Sequence, residues 1–179
     1  RDALVLYEHV SSVFLPGGGA FALGPGLSLG LRRLGFSEHV SASWLTGPTS
    51  FGSMRVLDVA LGVDYRVRLS RSWRALFGAS ASMALAYLSG VQSVDGIADA
   101  QNTWTSRTAL DLGVETRLSS SAWLGLLLQP GMLLRAIPYQ TDLAGPGQSL
   151  SGAWLGARIS LQTEWISRVE GSGSAQNSK

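Results

Sequence analysis

The sequence contains no cysteine, and its only lysine is Lys179. Without cysteine there is no disulfide framework and no thiolate metal site. Two histidines, His9 and His39, do not make a usual zinc site by themselves. No metal or other cofactor is therefore expected. Charge is scarce as well: 15% of residues are charged, against about 25% in soluble chains. A soluble barrel of the lipocalin kind hides its apolar face inside and needs a charged coat, which these residues barely supply. The net charge of +2 rests on arginines spread over many segments. They form no clustered basic stripe, so no nucleic-acid partner is expected.

Long apolar runs are nearly absent too. Residues 75–94 carry no charge and must be weighed as a membrane helix. Yet Phe77, Met83, Leu85 and Tyr87 all fall on odd positions, while Gly78, Ser80, Ser82 and Ala84 fall on even ones. A period of two is a strand signal. Residues 122–134 are short and hold Gln129 and Pro130. The chain starts at Arg1 without a charged-then-apolar leader, as expected of a mature exported protein.

What is present is alternation. In residues 57–69, Leu57, Val59, Leu61, Val63, Tyr65, Val67 and Leu69 line one face. Asp58, Ala60, Gly62, Asp64, Arg66 and Arg68 line the other. Successive side chains of a strand point to opposite faces. Thirteen residues is long for a soluble strand, and crossing a bilayer at a tilt takes about 9–11. The pattern recurs. Strands are expected at about 3–12, 26–35, 38–46, 53–69, 73–88, 104–118, 122–137 and 149–165. Short turns lie at 36–38, 70–72 and 119–121; external loops lie at 13–25, 46–52, 89–103 and 138–148. The fold class is therefore all-β: a transmembrane, antiparallel, up-and-down barrel of eight strands, with lipid outside and a polar interior. Residues 1–165 form the barrel, and residues 166–179 read as a Ser/Gly-rich flexible tail or linker.

By parity the interior receives Arg32, Asp58, Asp64, Arg66, Arg68, Arg107, Asp111, Glu115, Arg117, Arg135, Arg158 and Glu164. Eight strands enclose little more than their own side chains, so these charges must pair into a plug. Two aromatic belts flank the apolar band. Trp44, Tyr87, Trp104 and Tyr139 sit toward the external ends of strands; Phe36, Tyr65, Trp73, Trp123 and Trp165 sit toward the turns.

This organisation resembles the small eight-stranded outer-membrane barrels of the OmpA, OmpX and OmpW type, over roughly residues 3–165. The last strand, Ala157-Arg158-Ile159-Ser160-Leu161-Gln162-Thr163-Glu164-Trp165, is similar to that family's C-terminal assembly signal, alternating apolar residues that end in an aromatic. Thr163 departs from it where a larger apolar residue is usual. The resemblance implies a bacterial outer-membrane location. It also implies the bilayer, lipopolysaccharide, the barrel-assembly machinery and other envelope proteins as partners.

Three roles follow as expectations. The leading one is a non-enzymatic structural, surface-interaction or complex-anchoring protein acting through its external loops. A second is a small channel for ions or apolar solutes, whose arginines would favour anions. A third is an enzyme that modifies lipid A: His39-Val40-Ser41, with Glu38 beside them, is similar to the His-x-Ser pair of an outer-membrane deacylase family. That match is short and sits early in the chain, so no catalytic residue is expected.

Overall fold

The computed structural model describes residues 2–50, 52–92, 98–139 and 148–166. Eight strands occupy nearly all of them: β1 (Asp2–Leu15), β2 (Ala20–Arg33), β3 (Phe36–Thr49), β4 (Gly52–Arg68), β5 (Trp73–Gln92), β6 (Ala98–Arg117), β7 (Ala122–Tyr139) and β8 (Gln148–Ile166). Each pairs antiparallel with the next, and β8 closes on β1. Closure leaves no edge, so every strand can satisfy its backbone inside lipid.

The register fixes the tilt. From Asp2 the paired residues run through Arg33, Phe36, Tyr65, Phe77, Leu112, Leu128 and Ala157 and return to β1 at Ser12. That shift of ten residues over eight strands gives a tilt of about 40°.

Polarity is inside-out. On β4, Leu57, Val59, Leu61, Val63 and Tyr65 are exposed, while Val56, Asp58, Ala60, Asp64 and Arg66 are buried. β1 resolves just as cleanly: Ala3, Val5, Tyr7, His9, Ser11 and Val13 face in, whereas Leu4, Val10 and Phe14 face out. Trp44, Tyr65, Trp73, Trp104 and Trp165 are exposed on the outer face. Tyr87 is half-buried there, 6.5 Å from Trp44 between ring centroids. The side chain of Tyr139 lies outside the described residues. Trp123 corrects its expected place: it shares the inward face with Gly125 and Leu127, and the Arg74 guanidinium stands 3.7 Å over its ring.

The connections are shorter than expected. The loop read at 13–25 is only the 3-10 turn Pro16–Gly18 plus Gly19, and most of the one read at 46–52 is strand, with β3 running to Thr49 and β4 opening at Gly52. The turn read at 36–38 is Leu34-Gly35 instead, and Phe36 opens β3. The misread signals were Gly24-Pro25 and Gly47-Pro48. A Cβ on Gly24 would overlap the Trp44 carbonyl, and one on Gly47 would overlap the Phe21 carbonyl. These glycines let β2 and β3 approach closely rather than turn the chain. Proline, lacking an N–H, leaves gaps in the ladder instead of ending strands: pairing skips between Leu23 and Gly26, and around Pro130.

β5 runs on to Gln92 and β6 begins at Ala98, so most of the loop read at 89–103 is strand. Its centre, 93–97, lies outside the described residues, as do 140–147 and 167–179. Ile166, assigned to the tail, pairs with Ala3 as the end of β8.

Candidate functional site in the barrel interior

The interior divides into two halves of opposite chemistry. At the end carrying the short turns and residues 2 and 166, it is charged. Glu115 Oε2 accepts from Arg66 Nε at 3.2 Å and also from Arg74 Nε. Glu164 Oε1 accepts from Arg32 Nη1 at 2.7 Å, Arg74 Nη1 at 2.9 Å and Gln162 Nε2 at 2.5 Å. Arg66 Nη2 donates to the Tyr7 hydroxyl at 2.7 Å and stands 3.6 Å from Asp64 Oδ2. Three arginines thus share three carboxylates, all within a few residues of the turns. Such a network holds only while every charge keeps its partners.

Midway up, the groups become polar and pair locally. His9 Nε2 lies 3.0 Å from Ser28 Oγ and its Nδ1 3.1 Å from Ser11 Oγ, which accepts from Arg158 Nε at 3.2 Å. Gln129 Nε2 donates to Asp111 Oδ1 at 2.6 Å. Arg107 donates to Asp58 Oδ2 at 2.7 Å and Ser82 Oγ at 3.0 Å. Its guanidinium carbon stands 4.4 Å from the Trp154 ring centre, a cation–π contact that caps the polar half.

Beyond Trp154, toward the loops, the interior is apolar. Val13, Leu15, Ala20, Ala22, Leu45, Met54, Val56, Ala84, Ala86, Leu88, Ile137 and Leu150 pack as one core. The expected polar interior is present in the turn-end and middle parts, and this apolar core adds to it at the loop end. The signal was present: the inward parity of β4 reads Met54, Val56, Asp58, Ala60, Gly62, Asp64, Arg66, apolar first and charged last. Among the described residues, spaces of about 20, 20 and 10 Å³ lie between the inward side chains, each room for about one water. Outside the barrel, a groove of about 1220 Å³ on the lipid face is walled by Leu29, Val40, Leu61, Ala81 and Met132.

Of the twelve expected lumen charges, Arg32, Asp64, Arg66, Glu115 and Glu164 meet in the turn-end network, and Asp58 with Arg107, Asp111 and Arg158 stand above it. Three do not join. Arg68 and Arg117 are exposed and fold onto the turn carbonyls of Ser70 and Ser119. Arg135 lies within the register shift between Leu133 and Ile137 and is exposed, although both of those neighbours of the same parity face inward. Arg74 and Tyr7 are inward groups that sequence reasoning did not single out, and His9, considered there only as a metal ligand, is a third; strand parity places all three.

His39 and Ser41 do share a buried inward face. Glu38, read as their acidic neighbour, points the other way, outward. The acid that meets His39 is Asp64, with Oδ2 3.3 Å from Nδ1.

No family model and no curated protein matches the sequence. Solved structures do. Neisserial surface protein A is similar over 92% of this chain and 97% of its own, at 11% identity and a TM-score of 0.60. The N-terminal β-barrel domain of OprF from Pseudomonas aeruginosa is similar over 90% of this chain and 97% of its own, at 13% identity and a TM-score of 0.51. Identities this low carry the fold alone. With its closed ring of eight strands, apolar outer face and polar-to-apolar filled interior, the chain is a small eight-stranded β-barrel of the outer-membrane type.

Proposed function

We propose that this protein is a closed, non-conducting barrel of a bacterial outer membrane, with a structural, surface-interaction or complex-anchoring role exercised at its loop end. The supporting observation is the filled interior. Ions would have to cross first an arginine–carboxylate network and then an apolar core containing Leu45, Met54, Leu88 and Leu150. Apolar constrictions of this kind block ions by excluding water.

The loop end has the shape of a display platform. β1 and β2 meet at the low turn Pro16–Gly18, whereas β5 and β6 continue past Tyr87 and Trp104 to Gln92 and Ala98. One side of the rim therefore stands above the aromatic belt. Rigid scaffolds display their contact residues on such projections. Lipopolysaccharide surrounds this rim in an outer membrane, and other envelope proteins are the partners it would meet; the assembly machinery reads the β8 end. No catalytic role is assigned to His39 and Ser41, which face the interior instead of the lipid.

Purified protein reconstituted in planar bilayers tests this. No steady single-channel openings are expected at moderate voltage. Stable ohmic openings would refute the closed barrel and favour a channel. His39→Ala in expressing cells should leave the lipid A profile unchanged; a changed profile would bring back the enzymatic reading.

A further inference from the structure

Glu8 is a carboxyl group on the lipid face of the membrane band. Its strand neighbours Tyr7 and His9 are buried inside the barrel, and Glu8 itself is exposed on the outer face with Leu4, Val10 and Phe14. Across the strands it pairs with Leu27 on β2 and Leu161 on β8, both exposed and apolar. Its depth follows from the register. Leu4 pairs with Trp165 at the turn-end belt, and Phe14 pairs with Phe21 near the loop end. Glu8 lies between them. A strand tilted by about 40° climbs roughly 2.5 Å along the barrel axis per residue, which puts Glu8 about 10 Å from the Trp165 level. A glutamate side chain does not span that distance. Glu38, the other outward acid in the band, is different: it lies two residues from Phe36, whose ring stacks 4.8 Å from Tyr65 in the turn-end belt, so its carboxyl reaches the interface.

An ionisable group deep in lipid calls for a partner. Among the described residues, none of the outward arginines is at this depth. Arg33 ends β2 at a turn, and Arg55 pairs with Tyr87 near the loop end. A foreign partner carrying a lipid-facing Arg or Lys would bear a larger midplane cost than an acid does. A second copy of this chain has what is needed without that cost. A two-fold axis along the membrane normal carries Glu8 to the same depth in both copies, and such an interface is self-complementary.

We propose that the β8–β1–β2 face is the contact of a homodimer within the membrane, in which Glu8 of one copy hydrogen-bonds Glu8 of the other. One carboxyl holds the shared proton and donates; the other accepts. Val10, Leu27, Ile159 and Leu161 surround the pair and keep it dry.

The sequence has no cysteine, so single-cysteine variants report the contact directly. Full-length protein is reconstituted into phosphatidylcholine vesicles across a range of dilutions. Association is read by fluorescence transfer between labelled copies, and folding of each variant by heat-dependent electrophoretic mobility. Wild type should dimerise, Glu8→Gln should retain association through paired amides, and Glu8→Leu should weaken it about tenfold. Val10→Cys should form an intermolecular disulfide; Leu61→Cys, on the β4 face, should not. Folded wild type that stays monomeric at every dilution overturns the proposal. So does a Glu8→Leu variant that dimerises like wild type, or cross-linking through Leu61→Cys alone.

Discussion

Glu115 is the residue on which the turn-end network depends. It is buried and accepts from both Arg66 and Arg74, while Arg74 also lies on the Trp123 ring. Glu115→Gln keeps the shape and removes the charge, leaving two buried guanidinium groups with less compensation. Breaking one side of a buried pair costs about 3–5 kcal/mol. Urea unfolding in phospholipid vesicles should show a loss near that size; a loss below about 1 kcal/mol, typical of exposed pairs, would mean that water already screens the cluster. Gly62 tests packing instead of charge. A Cβ there would overlap the His39 ring, so Gly62→Val should destabilise the barrel by about 1–3 kcal/mol through overpacking. His39→Ala in the same chain should recover part of that, because neighbours that share a space are not additive. Equal losses in the single and double variants would show that the ring is not the obstacle.

At the scale of elements, two turns share one design. Arg68-Leu69-Ser70-Arg71-Ser72 and Arg117-Leu118-Ser119-Ser120-Ser121 each place an Arg on a turn carbonyl. In each, the first serine hydroxyl accepts two backbone N–H groups: those of Ser72 and Trp73 for Ser70 Oγ, and those of Ser121 and Ala122 for Ser119 Oγ. Side-chain acceptors of this kind set tight turns. Ser70→Ala and Ser119→Ala should each cost about 1 kcal/mol and add in the double variant, since each hydroxyl bonds only within its own turn, although the Arg117 N–H joins the two turns through the Ser72 carbonyl at 2.8 Å. Thermal or denaturant melts of the three variants would check it; a double loss well above the sum would reveal a coupled turn end. These turns, and the long strands between them, were legible in the sequence because alternation and serine clusters are local signals. The loop-end hairpins were not. Gly24-Pro25 and Gly47-Pro48 look like turns one strand at a time, and only the close approach of β2 to β3 explains them. The interior was legible by parity for Asp58, Asp64, Arg66 and Glu115 in mid-strand. Parity failed at Arg135, where a register shift breaks the alternation, and at Trp123, where an aromatic near a strand end was read as a belt residue without regard to its face.

At the scale of the whole molecule, one alternating pattern fits two opposite objects: a soluble barrel with its apolar face inside, or a membrane barrel with that face outside. The filled interior decides the geometry, since Asp64, Arg66 and Glu115 are buried while Leu61 is 64% exposed. The energetic consequence can be measured by depth. Leu61 lies mid-band on β4, and Leu69 lies at the turn just past its end, on the same outward parity. In a bilayer, Leu61→Arg should cost about 2–4 kcal/mol, whereas an arginine near the interface costs about 0–1. Leu69→Arg should therefore be nearly neutral. Reversible folding into phosphatidylcholine vesicles under denaturant would give both values. A soluble barrel would not distinguish the two, because each arginine would simply be hydrated. Equal small losses at both positions would thus overturn the membrane band, and a difference of several-fold between two leucines on the same strand face would locate its centre near Leu61.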